Sequence, residues 1–178
     1  PIVTEDMGFN LPSDATIVLR VHYKKTWITE GQEFSDQSSL GLYFTERGDV
    51  AEINSLLVNS PATFSGQEVT FTHEVDADIK LLGLLPEVDI DSSEIQVQAV
   101  TPDGTRVPIL WLREPDSGWV TRFWFASPVD LAAGSQLEFT ALLEPAAEHN
   151  PSASLLGSDL THPIRVSIDY VSGSQTGN

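Results

Sequence analysis

Four histidines, one methionine and no cysteine make up the soft-ligand inventory of this 178-residue chain, so any transition-metal chemistry must be built mainly from imidazole. His22, His73, His149 and His162 are scattered. None has a second histidine about two to four residues away, the simple local spacing of a metal site. His73, His149 and His162 therefore read first as surface or turn histidines. Carboxylates are more plentiful. Glu87, Asp89 and Asp91 recur at every second residue and, with Glu94, offer hard oxygen ligands for a cation such as Ca²⁺. No Asp-X-Asp-X-Asp-Gly loop accompanies them, and an acidic solvated turn explains the same spacing. Gly-X-Ser-X-Gly, a phosphate loop and a dinucleotide fingerprint are all absent, so no nucleophile or nucleotide site is visible.

The charge balance sets further bounds. Twenty-six acidic against nine basic residues give a net charge of −17, which opposes long-range attraction to nucleic acid or an anionic lipid surface. The expectation is a self-repelling, soluble surface with no nucleic-acid partner, leaving a basic partner or a divalent cation as the electrostatic alternatives. No apolar run approaches the roughly 20 residues of a membrane span. The chain begins at Pro1 without a methionine, and it is expected to be a processed or excised part of something longer.

The elements that would position these groups are strands. Eleven prolines, twelve glycines and short runs rich in Val, Ile, Leu, Phe and Trp favour an all-β domain. Residues 1–15 read as an extended lead-in with Phe9 and Leu11 as anchors. In Thr16–Lys24, Ile17, Leu19, Val21 and Tyr23 share one face, while Val18, Arg20, His22 and Lys24 share the other. That period of two predicts a half-buried strand, paired through a polar loop with a second strand over Ser39–Thr45. A short strand is expected around Ile53–Val58, stopped by Pro61. Gln67–Val75 is another. The apolar run Ile79–Leu85 predicts a central strand buried on both faces, ended by Pro86, with Gly83 at a point of close approach. Glu94–Val100 and Arg106–Leu112 flank Pro102-Asp103-Gly104-Thr105 as a hairpin. Trp119–Phe125, Ser135–Leu143 and Pro163–Val171 complete the set, and 172–178 reads as a flexible tail. About nine short strands predict one antiparallel β-sandwich of jelly-roll type over residues 16–171. Trp27 and Trp124 are candidate interface anchors, although a tryptophan in a sandwich core is as common.

The stretch Val21-His22-Tyr23, the loop with Asp36 and Ser38, and Gly41-Leu42-Tyr43-Phe44 together resemble the junction between the two halves of the copper type II, ascorbate-dependent monooxygenases. These are the peptidylglycine α-hydroxylating and dopamine β-type enzymes and their bacterial relatives. The resemblance continues over 66–171. Leu85-Pro86, Ile95–Val100, Pro102-Asp103-Gly104, Trp119–Phe125, Pro128, Leu131-Ala132-Ala133-Gly134 and Asn150-Pro151 follow the order of that family's C-terminal half.

The resemblance implies that His22 is a ligand of one copper, whose two further histidines belong to a preceding half. It also implies a pair of copper histidines where this chain carries Glu87-Val88-Asp89, and a late methionine ligand near His162, whereas the only methionine is Met7. Carboxylates hold Cu(I) poorly, so the second copper site reads as lost. Two function classes follow. One is a metal-depleted, non-catalytic structural or protein-binding module without a cofactor. Its partners would be other protein subunits of an extracytoplasmic assembly, a haem-containing or membrane-bound electron-transfer or photosynthetic complex among them. The other is the C-terminal portion of a copper-dependent monooxygenase. Either would place the protein in the periplasm or outside the cell.

Overall fold

The computed structural model describes residues 6–19, 21, 23, 27–33, 35–46, 48–63, 65–88, 92–115, 120–144 and 162–173. Ten strands are present among them: β1 (Met7–Gly8), β2 (Ala51–Glu52), β3 (Asn54–Asn59), β4 (Glu68–Glu74), β5 (Ile79–Val88), β6 (Ser92–Val100), β7 (Arg106–Arg113), β8 (Phe123–Leu131), β9 (Gln136–Leu143) and β10 (Ile164–Ser172). The helical content among the described residues is one 3₁₀ turn, Trp27–Thr29, and no helix there is long and apolar enough to cross a membrane.

Eight strands form two four-stranded antiparallel sheets, ordered β3-β10-β5-β8 and β4-β9-β6-β7. Successive strands alternate between the sheets except at β6–β7, and each return strand inserts beside an earlier one. This is the double Greek-key order of a jelly roll, as the strand count and turn spacing predicted. The core lies between the sheets, built from Val58, Leu81, Leu84, Val97, Ala99, Leu131, Leu137, Phe139, Val166 and Ile168 among others. Phe71 stacks on Phe139 at 4.8 Å between ring centroids. A second cluster, Val69, Val88, Ile95, Ala141, Leu143 and Ile164, continues the core. Each Val, Leu, Ile or Phe side chain among them contributes about 1.5–3 kcal/mol when fully removed from water.

β5 is buried on both faces, as its unbroken apolar run requires. Leu81 and Leu84 point into the sandwich, whereas Leu82 packs outside it with Ile53 and Val171, against Met7 and Trp124. The short parallel pairing of β1 with β2 brings Met7 to this outer face. Phe9 meets the Trp124 ring at 6.4 Å, but Leu11 is exposed and joins none of the core clusters. Gly83 marks the expected close approach: a Cβ there would stand 2.8 Å from the Phe123 carbonyl and 2.9 Å from the Trp124 ring. Gly104, at φ +86°, completes the β6–β7 turn, in which its N–H donates to the Thr101 carbonyl at 2.8 Å.

Three sequence expectations need correction. Pro86 does not end β5, which runs on to Val88. β8 pairs with β5 only as far as Leu84, so on that side of Pro86 there is no ladder for the missing N–H to interrupt. The expected strand Trp119–Phe125 lies later, at Phe123–Leu131, with Pro128 in its unpaired middle. The largest departure is the hairpin over 16–45. Among the described residues from 9 to 46 there is no strand. Alternation decides which side chains share a face, but a ladder also needs a neighbour, and both sheets are completed without this segment.

Candidate functional site

Glu87 lies on β5 directly opposite Arg165 on β10, and both are almost wholly buried. The Arg165 Nη2 stands 3.5 Å from the Glu87 Oε1, and its Nη1 donates to the His162 carbonyl at 2.8 Å. The His162 ring holds the Ser60 carbonyl at 2.6 Å through Nδ1, and the Ile164 N–H donates to the Ser60 hydroxyl at 3.2 Å. Two places far apart in sequence therefore meet: Glu87, where the resemblance expects a copper histidine, and His162, near where it expects the thioether. A guanidinium joins them. The charge of the Glu87 carboxylate is balanced within the domain, so a cation at this carboxylate would compete with Arg165.

His22, Asp89 and Asp91 lie outside the described residues, as does His149. His73 is half-buried on β4, opposite Leu137. Among the described residues no group of three or more His, Cys, Asp or Glu side chains gathers to hold a metal.

The same outer face carries a second charged group. Asp169 on β10 is fully buried, accepts a hydrogen bond from the Ser55 hydroxyl and is paired with Arg122. The Arg122 guanidinium also lies 5.6 Å from the Trp124 ring. Trp124, proposed from sequence as an interface anchor, is thus half-buried between Arg122, Phe9 and the Leu82 cluster. Its surface is largely spent inside the domain.

Trp27 is different. It is 82% exposed, and it belongs to a segment rich in exposed apolar side chains. Sixteen large hydrophobic side chains are exposed among the described residues, and thirteen of them lie between Phe9 and Phe44. They include Ile17, Val18, Leu19, Val21 and Tyr23 on one arm and Leu40, Leu42, Tyr43 and Phe44 on the other. The arms are pinned together at one end. Both the Tyr23 hydroxyl and the Ser38 hydroxyl donate to Asp36 Oδ2 at 2.7 Å. These two bonds, Ser38's first, hold the Asp36 carboxyl below its ordinary pKa of 3.8. The result is a loop closed like a hairpin, with strand-patterned arms that carry no ladder among the described residues.

Sequence reasoning missed two features here. It placed the aliphatic face of Ile17–Tyr23 against the core, whereas that face is open. It also passed over Trp111, which is 58% exposed on β7 with the Arg113 guanidinium 4.4 Å from its ring. Strict alternation from Val107 would put Trp111 inside with Ile109. A bulge at Val97/Gln98 in the β6–β7 pairing shifts the register, so Leu110 and Leu112 face the core and Trp111 faces out.

No protein-family model matches the sequence, and no curated protein matches it. Among solved structures, the family 32 carbohydrate-binding module of C. perfringens NanJ in complex with galactose is similar over 66% of this chain and 93% of its own, at 9% identity and a TM-score of 0.38. An α-amino acid ester hydrolase is similar over 70% of this chain and 31% of its own, at 11% identity and a TM-score of 0.26. Likenesses this distant carry no functional argument, and the description of the chain as a jelly-roll sandwich rests on its own strand order.

Proposed function

We propose that this chain is a non-catalytic, protein-binding module: a metal-depleted, monooxygenase-like β-sandwich that acts as an accessory subunit or domain of an extracytoplasmic assembly. The observation that carries the reading is the exposed apolar stretch between Phe9 and Phe44. Thirteen exposed large apolar side chains concentrated in one segment are unusual for a solitary domain, and this concentration supports a surface covered by protein. The Glu87–Arg165 pair supports the same reading, because charge balance at that place needs no metal. A membrane-bound electron-transfer complex is the kind of assembly that would suit such a subunit.

The test is isolation of the native protein with its partners, followed by metal analysis and cross-linking mass spectrometry. The expected result is no copper after mild dialysis, together with cross-links from Lys24 and Lys25 to another protein chain. Near-stoichiometric copper would overturn the reading and make His22 the first residue to substitute. So would a protein that elutes alone with these lysines unlinked to any partner.

A further inference from the structure

The chain itself offers a partner surface that fits the exposed arms. β3 is an edge strand: β10 pairs with it on one side, and no strand among the described residues pairs with the other. Edges of this kind are templates for strand addition unless they are blunted by charge, proline or a bulge. β3, Asn54-Ser55-Leu56-Leu57-Val58-Asn59, has none of the three, and Leu56 and Leu57 are exposed on it. The other edges of the two sheets are better guarded. β7 has Pro108 and a bulge, β8 has Pro128 and a bulge, and β4 presents Glu68 and Glu74.

We propose that a second copy of this chain is a partner of the 16–44 segment, the Ile17–Tyr23 arm of each copy adding as a strand along β3 of the other. The inference rests on the reading above that this segment is a contact surface. Three observations select the occupant. The arm is seven residues long and matches the six-residue edge it would cover. In one register Ile17, Leu19, Val21 and Tyr23 fall on the same side as Leu56 and Val58, so the sandwich core extends by a strand whose apolar face is already complete.

Charge is complementary as well. Between Ala15 and Thr29 the chain carries Arg20, Lys24 and Lys25 and no acid, while the rest of the molecule carries the whole acidic excess. The net −17 of each copy opposes approach at low ionic strength, but at 0.15 M salt repulsion is confined to about 8 Å, and the cationic arm then meets an acidic body. A reciprocal exchange of this type closes on a twofold axis and leaves no open surface for further growth. With the six residues of β3 and the seven of the arm it involves 13 residues a side, below the roughly 20–30 of a standard interface, as suits a weak dimer.

The experiment is sedimentation velocity of the full chain in 0.15 M salt from about 1 to 100 µM, with hydrogen exchange across the same range. The expected result is a monomer–dimer equilibrium with a micromolar Kd. Amides of residues 17–23 and 54–59 should gain protection together as concentration rises. Leu57→Lys on the edge and Val21→Glu on the arm should each weaken the dimer about tenfold or more. Both positions are exposed in the monomer, so the variants should melt like the wild type below the Kd. A monomer throughout the range overturns the proposal, as does a dimer indifferent to both substitutions. If the monomer is nonetheless cross-linked through Lys24 or Lys25 to a different subunit in the native assembly, the contact-surface reading survives without this pairing. If it shows neither, both fail.

Discussion

Removing one member of the Glu87–Arg165 pair is the sharpest test of how this domain treats the place where the resemblance expects a metal. Glu87→Gln preserves shape and leaves the Arg165 charge almost wholly buried with one fewer anion. Breaking a buried pair in this way costs about 3–5 kcal/mol. The 3.5 Å separation is longer than the roughly 2.7–2.9 Å of the strongest charge-assisted bonds, which argues for the lower end, about 3 kcal/mol. For a domain of this size, about 2–4 °C is lost per kcal/mol, so the melting temperature should fall by about 6–12 °C. Arg165→Met should cost more, because it also removes the bond to the His162 carbonyl. The double variant should be less destabilised than the sum of the singles, by about 1–3 kcal/mol. Urea unfolding followed by tryptophan fluorescence gives all four stabilities. Calcium should raise none of the midpoints selectively. A Glu87→Gln variant within about 0.5 kcal/mol of wild type would refute the reasoning, and so would additive singles. Calcium stabilisation that vanishes only with Glu87 would restore this carboxylate as a cation ligand.

Four further outcomes follow from the same geometry. Phe139→Ala removes a fully buried ring stacked on Phe71 and should cost about 3–5 kcal/mol in urea unfolding. Gly83→Ala drives a methyl against the Phe123 backbone and should cost about 1–3 kcal/mol by the same assay, with β5 and β8 amides losing hydrogen-exchange protection. Asp36 should titrate by carbon-13 NMR with a midpoint below 3.8; Ser38→Ala should raise that midpoint more than Tyr23→Phe. Because its pKa is lowered in the fold, the bonds closing the 23–38 loop are present above the ordinary carboxylate pKa and are lost as pH falls through the lowered value, with little effect on global stability at so exposed a site. In the monomer, acrylamide should quench Trp27 and Trp111 readily and Trp124 poorly, measured in single-tryptophan variants.

The sandwich was legible because its signals were local and mutually consistent. Alternation in Glu94–Val100, turn chemistry at Pro102-Asp103-Gly104 and the unbroken run Ile79–Leu85 each map onto an observed strand or turn. The errors have a common source: alternation carries no information about neighbours. It could not report that β8 leaves β5 at Leu84 and so lets the strand pass Pro86, nor that a bulge would turn Trp111 outward. The pairing of Glu87 with Arg165 was out of reach for the same reason, since register between β5 and β10 is a tertiary fact. The only sequence hint was a lone arginine in the otherwise apolar-alternating run Ile164–Val171. Position does not by itself make a ligand, and His22, Asp89 and Asp91 stay as sequence candidates because they fall outside the described residues.

The stability of the domain does not account for the 16–44 segment. Among the described residues both sheets close without it, and the buried core clusters contain none of its described side chains. Its described large apolar groups stay 43–100% exposed in the folded chain, so they add little to the hydrophobic term that drives folding. They also add a liability, because strand-patterned apolar arms beside an unguarded β3 edge invite pairing between chains. The net charge of −17 keeps such a chain apart at low salt but is screened at physiological ionic strength. A segment that adds little to the fold and endangers solubility is what the proposed contact would account for, because that contact would cover it. Its three cations, Arg20, Lys24 and Lys25, all precede Thr29 and its three acids, Glu30, Glu33 and Asp36, all follow it, so under the proposed contact it is the first arm that would favour an acidic protein.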